Sequence, residues 1–227
     1  MIVAGRVTVN GRVATIGESA DPAIDAIRVD GRALPAPARS IYLLLNKPEG
    51  YITTKSDERG RQTVLELVPP KLRRGLHPVG RLDYRTEGLL LLTTDGEFSN
   101  RVAHPRYGCA KTYHVKVKGK PSTGALARIR RGMVIDGQRL QGAKVRPLTV
   151  RGPRAGRNSS WWTVELREGR TRQIREMFFR VGHPVQRLKR VAIGRLSDPR
   201  LPRGHYRELT EAEVDMLSGA RSKRKRD

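Results

Sequence analysis

Apolar residues occur along this chain in short runs, several of which alternate with polar residues. In residues 112–119, Tyr113, Val115 and Val117 alternate with histidine and lysine, which predicts a strand with one buried and one basic face. The segment IYLLLNKPEG (41–50) predicts a buried strand that stops at Lys47-Pro48. Further strands are predicted at 89–92, 143–150, 161–169 and 187–194.

Helical periodicity is clearest in residues 171–181. Ile174, Met177, Phe178 and Val181 fall at i, i+3, i+4 and i+7, so they share one face of a helix. Three further helices are indicated by their capping residues: one that starts at Asp95 and stops near Pro105, one over 122–131, and one opened by the Thr210/Glu213 capping box.

Turn signals separate these elements. Asn10-Gly11 and Asp136-Gly137 predict tight hairpin turns, because both dipeptides tolerate positive φ. Residues 33–39 contain two prolines and no periodicity, which predicts a linker. Strands interspersed with a few helices are typical of the α+β class rather than of a doubly wound sheet.

The net charge of the chain indicates what kind of partner it binds. The chain of 227 residues has 46 Lys and Arg against 22 Asp and Glu, a net charge of +24. Because such an excess repels itself in the folded state, we expect a nucleic acid as partner. Cys109 is the only cysteine, so an intramolecular disulfide is excluded and a reducing compartment, the cytoplasm, is expected. No apolar run has membrane-spanning length, and no membrane partner is expected.

The sequence lacks the residue patterns of several common kinds of active site. The sequence has no Gly-rich phosphate or dinucleotide loop and no nucleophile elbow, and its five histidines are scattered, so we expect no metal and no small-molecule cofactor. Asp83 lies between Arg81 and Arg85 at the start of an apolar run. It is either a local ion pair or a reactive carboxylate. Arg175 is next to the apolar stripe of its helix and needs a carboxylate or phosphate partner, which Asp83 could supply.

Three blocks carry a resemblance to a known family. They are GRLDYRTEGLLLLTTDGEFSNRVAHP, then KTYHVKV, then EGRTRQIREMFFRVGHPV. In this order they resemble the signature blocks of the RsuA/RluB branch of the pseudouridine synthases, which isomerise chosen uridines in ribosomal RNA. LLNKPEGYITT and RLKRVAIG match the same family, and the resemblance extends from about residue 41 to residue 214.

The resemblance implies a mixed, largely antiparallel sheet with flanking helices and a cleft lined by Asp83, Tyr113 and Arg175. It makes Asp83 the catalytic carboxylate, Arg175 the cation that keeps it charged, and Tyr113 the aromatic that packs against the base. The remaining expected RNA contacts are Arg81, Lys111, Arg170 and Arg172. Arg81 either fills the place of an extruded nucleotide or binds a phosphate.

The resemblance also suggests the division of the chain. Residues 1–39 are expected to be a linker and a partial S4-like RNA-binding module, because only the later part of that module is matched. Residues 40–218 are expected to be the catalytic domain and 219–227 a basic disordered tail. The large-subunit (23S) RNA is favoured over 16S, and a monomer is expected. The alternative is a non-catalytic RNA-binding or ribosome-assembly factor that keeps the fold.

Overall fold

The computed structural model describes residues 1–22, 24–33, 39–104, 107, 109–150 and 158–219. By its internal contacts the chain forms two compact units, Met1–Ser40 and Ile41–Asp227. Most of the predicted linker (34–38), the predicted helix stop at Pro105 and nearly all of the predicted tail (220–227) lie outside the described residues.

The first unit contains a four-stranded sheet in the order β2-β1-β3-β4, built from two hairpins. Its strands are β1 (Val7–Val9), β2 (Arg12–Val13), β3 (Ile27–Val29) and β4 (Arg32–Ala33). Asn10 and Gly11 have φ of 53° and 84°, so the predicted hairpin is confirmed. The second hairpin turns at Asp30-Gly31, which carries the same signal but was not predicted. The S4-like identity of this unit stays a prediction.

The described residues of the second unit contain ten strands. They are β5 (Tyr42–Lys47), β6 (His77–Val79), β7 (Glu87–Thr93), β8 (Lys111–Lys118), β9 (Met133–Ile135), β10 (Gln138–Leu140), β11 (Lys144–Pro147), β12 (Ser159–Leu166), β13 (Val185–Ile193) and β14 (Tyr206–Glu208). Eight of them form one sheet in the order β11-β12-β8-β13-β7-β5-β14, with β6 also pairing with β7. β9 and β10 form a separate hairpin at Asp136-Gly137, as predicted.

Strands β5 and β7 are buried on both faces. Leu44 and Leu91 belong to one apolar cluster, whereas Leu43 and Leu92 belong to another. Because successive side chains of a strand point to opposite faces, a run of leucines is needed to fill both layers. The unbroken runs in the sequence therefore correctly predicted two central strands.

One junction of the large sheet is parallel. β13 pairs with β7 in parallel, with Lys189 opposite Glu87 and Arg190 opposite Gly88, and the other pairings among the described strands of this sheet are antiparallel. Gly88 has φ of 109°, and a Cβ placed on it would lie 2.1 Å from the carbonyl oxygen of Arg190. A side chain has no room there, so the glycine allows the two strands to approach.

Four α-helices flank the sheet in the part of the chain that the structure describes: α1 (Gly96–Ala103), α2 (Thr123–Arg131), α3 (Gln173–Phe179) and α4 (Glu211–Ser218). The predicted caps Asp95 and Thr210 are confirmed, because each accepts a hydrogen bond from the first turn of its helix. Ser122, predicted as the first residue of its helix, is the N-cap of α2 and accepts from the Ala125 N–H. α3 is shorter than the predicted 171–181. Its N-cap, Arg172, is left-handed with φ of 54°, which starts the helix at Gln173.

The mixed, largely antiparallel α+β class is confirmed by this arrangement. Strands β6 and β14 were not predicted. Each has three residues, and β6 contains a proline at its centre. Such short segments lack a period, and pairing with β7 and β5 gives them their extended form.

Candidate active site

A cleft of about 240 Å³ opens between the turn that precedes β7 and the loop that precedes α3. Asp83 and Tyr113 both line it, so two of the three predicted catalytic side chains face one space. Leu166, Ile174 and Leu188 add an apolar wall. A half-exposed carboxylate beside an aromatic ring and an apolar surface is suited to holding a flat, polar ring such as a nucleobase.

Tyr113 lies where two parts of the core meet. It is half-buried and packs against both the cluster that contains Val115 and the cluster that contains Leu90. On β8 it is opposite Val164 of β12 and Arg190 of β13. Its ring is therefore held on both sides while it still lines the cleft.

A buried lysine supports the turn that carries Asp83. The Lys47 ammonium donates hydrogen bonds to the carbonyl oxygens of Pro48 at 2.9 Å, Asp83 at 3.2 Å and Thr86 at 2.9 Å. All three N–H bonds of the ammonium are thereby used. Burial lowers the pKa of Lys47 to about 8 from 10.5, and the charges of Glu49 and Asp83 oppose that shift.

Arg175 holds the same turn from α3. Its Nη2 donates to the carbonyl oxygen of Arg85 at 2.7 Å and to Oγ1 of Thr86 at 3.5 Å, and its Nη1 donates to the oxygen of Val185 at 3.5 Å. The guanidinium therefore bonds the backbone around Asp83. The guanidinium lines a neighbouring cavity and not the cleft. This differs from the expectation that Asp83, Tyr113 and Arg175 line the same cleft.

Asp83 and Arg175 are nevertheless electrostatically coupled. Burial lowers the pKa of Arg175, and among the charged groups around it Asp83 acts most strongly to raise that pKa again. The guanidinium stays charged, so it places a fixed positive charge near the carboxylate without covering it.

Two further contacts complete the support of the turn. The Thr53 hydroxyl donates to the carbonyl oxygen of Leu82 at 2.7 Å, and the Gly50 N–H donates to that of Tyr84 at 3.0 Å. With the contacts of Lys47 and Arg175, every carbonyl from residue 82 to residue 86 accepts a hydrogen bond. The backbone of Asp83 is therefore fixed by its neighbours on both sides, which positions its side chain.

The opposite rim of the cleft is organised by a buried carboxylate. Glu168 accepts hydrogen bonds from Nε2 of Gln173 at 2.6 Å and from the Gln141 N–H at 2.7 Å. Arg170 lies 3.7 Å from Glu168 and donates to Oε1 of Gln138 at 2.9 Å. Arg172 is held in the left-handed region at φ of 54°, an unusual conformation for a non-glycine residue. Both arginines are exposed and line the cleft.

Arg81 connects the two rims. Its Nη2 lies 3.4 Å from Oγ1 of Thr171, across the mouth of the cleft. The structure therefore brings together Arg81, Arg170 and Arg172, three of the four predicted RNA contacts. Lys111 lies elsewhere: it is half-buried, donates to the carbonyl oxygen of Val102 at 3.2 Å, and does not line the cleft. Burial lowers its pKa.

Sequence reasoning missed Lys47, Glu168 and Gln173 as members of this site. A lysine at the end of an otherwise apolar strand was a signal for Lys47, because a buried ammonium needs several oxygen partners. Glu168 and Gln173 carried no comparable signal: they bond each other across an irregular loop, and the second donor to Glu168, the Gln141 N–H, comes from a distant segment.

No group of three His, Cys, Asp or Glu side chains with the geometry of a metal site occurs in the described part of the chain. None of the described helices has the length and apolar character needed to span a bilayer.

The chain was compared with known proteins and families. Residues 41–179 match the family model described as RNA pseudouridylate synthase, and this range contains every residue that lines the cleft except Leu188. The chain belongs to the RNA pseudouridylate synthase family. It is therefore an RNA pseudouridine synthase, an isomerase of the RsuA/RluB type, and the predicted family is confirmed.

Relatives of this pseudouridine synthase extend over nearly its whole length. It is 38% identical to an uncharacterized RNA pseudouridine synthase of Aquifex aeolicus (strain VF5), over 96% of this chain and 85% of that one. It is also 38% identical to the ribosomal large subunit pseudouridine synthase B of Bacillus subtilis (strain 168), over 96% of this chain and 87% of that one. A crystal structure of a pseudouridylate synthase superposes with a TM-score of 0.70 at 30% identity, covering 95% of this chain and 90% of that one.

Proposed function

We propose that this enzyme isomerises uridine in ribosomal RNA of the large subunit, with Asp83 as its catalytic residue. The observation that carries the proposal is the cleft in which Asp83 faces Tyr113 between two rims that carry arginines. The net charge of +24 supports a polyanionic substrate. The large-subunit RNA is supported by the name of the Bacillus subtilis relative, at 38% identity.

The reaction leaves the atomic composition of the nucleotide unchanged. The bond between N1 of the base and C1′ of the ribose breaks, the base turns, a bond forms between C5 and C1′, and C5 loses its proton while N1 gains one. An ionised carboxylate serves this exchange by attacking C1′ or C6 or by removing the proton from C2′. The same position of Asp83 suits each of these routes.

Arg175 acts on the reaction through Asp83. Its guanidinium lies near Asp83 as a fixed positive charge, and its hydrogen bond to the Arg85 oxygen, at 2.7 Å, fixes the turn that carries Asp83. We therefore assign Arg175 as a positioning residue. Tyr113 packs against the uracil ring, where its hydroxyl is available for proton movement at C5.

The target nucleotide has to leave its helix or loop, because a stacked uridine exposes neither face to a carboxylate. Arg81, Arg170 and Arg172 stand at the mouth of the cleft and suit the phosphates on either side of an extruded nucleotide. Arg81 is the one that bridges the two rims, at 3.4 Å from Thr171. It either fills the vacated place in the stack or binds a phosphate. Lys111 has no part in this surface.

The decisive experiment follows tritium release from large-subunit and small-subunit ribosomal RNA labelled at C5 of uridine. The wild type is expected to release tritium from the large-subunit RNA, and Asp83→Asn is expected to abolish release while RNA affinity stays within about threefold. The matched control is Asp215→Asn, an exposed residue of α4 outside the cleft, which should leave release unchanged.

The alternative function is a non-catalytic RNA-binding factor that keeps the fold. It would be supported if the wild type bound ribosomal RNA and released no tritium from either subunit's RNA. Release from small-subunit RNA alone would contradict only the choice of substrate.

A further inference from the structure

A second cavity, of about 540 Å³, opens beside Asp83 and shares none of its lining residues with the cleft. Its wall contains Tyr84, Arg85, Glu49 and Gln186; we call it the Tyr84 cavity. Tyr84 and Asp83 are consecutive residues, about 3.8 Å apart at their Cα atoms. Whatever binds against Tyr84 is therefore next to the nucleotide that reaches Asp83.

Tyr84 presents an aromatic surface that is fixed at its base. Tyr84 is 50% exposed, while its carbonyl oxygen accepts a hydrogen bond from the Gly50 N–H at 3.0 Å. A Cβ placed on Gly50 would lie 4.0 Å from the Tyr84 hydroxyl, so the ring extends back over this glycine. A single exposed tyrosine is ordinary on a protein surface, and Tyr84 is distinguished by the groups that surround it.

Tyr84 and its neighbours provide three kinds of group, each suited to one part of a nucleotide. The ring offers a face on which a base can stack, which contributes about 1–3 kcal/mol per base in single-stranded recognition. Arg85 is exposed and offers a cation for a phosphate. Glu49 and Gln186 are exposed polar side chains that can meet the edge of a base.

Glu49 makes the cavity selective among bases. An ionised carboxylate only accepts hydrogen bonds, so it suits the amino group of cytosine, adenine or guanine. Uracil offers one donor, N3–H, and this donor lies between two carbonyl oxygens that a carboxylate repels. The charge at this position therefore favours a neighbour that is not uracil.

We propose that the Tyr84 cavity binds the base of a nucleotide adjacent to the target uridine, and that Glu49 selects a base with an exocyclic amino group over uracil. This inference rests on the proposed action on RNA and adds the recognition of a flanking nucleotide to it. The base stacks on Tyr84, its amino group donates to Glu49, and its phosphate lies near Arg85.

The test measures binding by fluorescence anisotropy of two labelled RNA hexamers, the alternating (CU)3 and the uniform U6. Both offer uridines to the cleft and have the same backbone charge, so the electrostatic part of binding cancels in their ratio. The wild type is expected to bind (CU)3 about tenfold more tightly than U6, the size of one good base contact.

Three variants locate the source of that ratio, and two more serve as controls. Glu49→Gln should bring the ratio close to one, because an amide can also donate to a uracil oxygen. Tyr84→Ala should weaken (CU)3 by about tenfold, whereas Tyr84→Phe should retain binding because the ring remains. The matched controls, Glu58→Gln and Phe179→Ala, change exposed residues outside the cavity and should leave the ratio unchanged.

Equal affinity of the wild type for both hexamers overturns the proposal, and so does a preference that survives both Glu49→Gln and Tyr84→Ala. These outcomes are separable from the fate of the proposed function, since binding of the hexamers requires no turnover. Tritium release without a hexamer preference would contradict only the proposed base binding in the Tyr84 cavity. A hexamer preference without tritium release would contradict only the proposed isomerisation of uridine in ribosomal RNA.

Discussion

The buried ammonium of Lys47 donates a hydrogen bond to the carbonyl oxygen of Asp83 at 3.2 Å, so the residue with the proposed catalytic carboxylate is held through its own backbone. The same nitrogen also bonds Thr86, at 2.9 Å. A charged lysine that is 0% exposed is unfavourable unless oxygen atoms surround it. The site therefore tolerates a costly buried charge where the position of the turn matters.

The Lys47 ammonium makes stability depend on pH in a defined window. The pKa is about 8 in the folded protein against an ordinary 10.5, so between these values the unfolded chain binds a proton that the folded chain lacks. Stability relative to Lys47→Met should therefore rise from pH 8 to pH 10.5, by up to about 3 kcal/mol, and stay level below pH 8. Urea unfolding at a series of pH values measures this.

The control for that series is Lys71→Met, which changes an exposed lysine. The difference between the wild type and this control should stay nearly constant over the same range. A wild-type advantage over Lys47→Met that falls as the pH rises from 8 would contradict the buried-ammonium explanation.

Arg175 should not be replaceable by lysine. Its forked guanidinium reaches Arg85, Thr86 and Val185 at once, and a single ammonium cannot span these acceptors. Arg175→Lys keeps the charge but loosens the turn, so we expect a loss of about 100-fold in turnover with little change in RNA affinity. Single-turnover tritium release at saturating enzyme separates the two quantities.

The comparison for Arg175 is Arg180→Lys, just beyond α3, whose ion pair with Asp136 is exposed. This variant should retain the wild-type rate. If Arg175→Lys also reacts at the wild-type rate, the positive charge alone is sufficient and the bonds to the turn are not needed.

The sequence predicted elements well where local periodicity and burial agree. The alternation around Tyr113 and the i, i+3, i+4, i+7 spacing around Met177 gave β8 and α3. The family blocks also pointed to Asp83 and Tyr113, which do line one cleft. These features are local or carried by motifs, which is why single-chain reasoning reached them.

The features that escaped prediction depend on contacts between distant residues. Arg175 was expected to meet the Asp83 carboxylate, yet its guanidinium bonds the carbonyl oxygen of Arg85 at 2.7 Å. The oxygen atoms around Lys47 come from a turn far along the chain. A sequence shows that a buried cation needs partners, but the choice between a carboxylate and carbonyl oxygens is made by the packing of strands.

Gly88 should be among the least replaceable glycines of the described chain. Alanine there would place its Cβ 2.1 Å from the Arg190 oxygen, at φ of 109°. Gly88→Ala is expected to lower the free energy of unfolding by at least about 3 kcal/mol, as measured by urea titration. Gly96→Ala is the control, since its Cβ meets nothing within 4 Å. Equal stability of the two variants would show that the strands can separate at no cost.

The arginines at the mouth of the cleft should act as separate phosphate contacts. Arg170 and Arg172 are exposed, and each phosphate neutralised releases counterions. Replacing either by glutamine should therefore lower the slope of log affinity against log salt by about 0.7–0.9. Measuring RNA affinity from about 50 to about 300 mM salt gives this slope for each variant. Arg101→Gln, whose guanidinium pairs with Glu97 on α1, should leave the slope unchanged. An unchanged slope for Arg170→Gln and Arg172→Gln would remove both residues from the RNA surface.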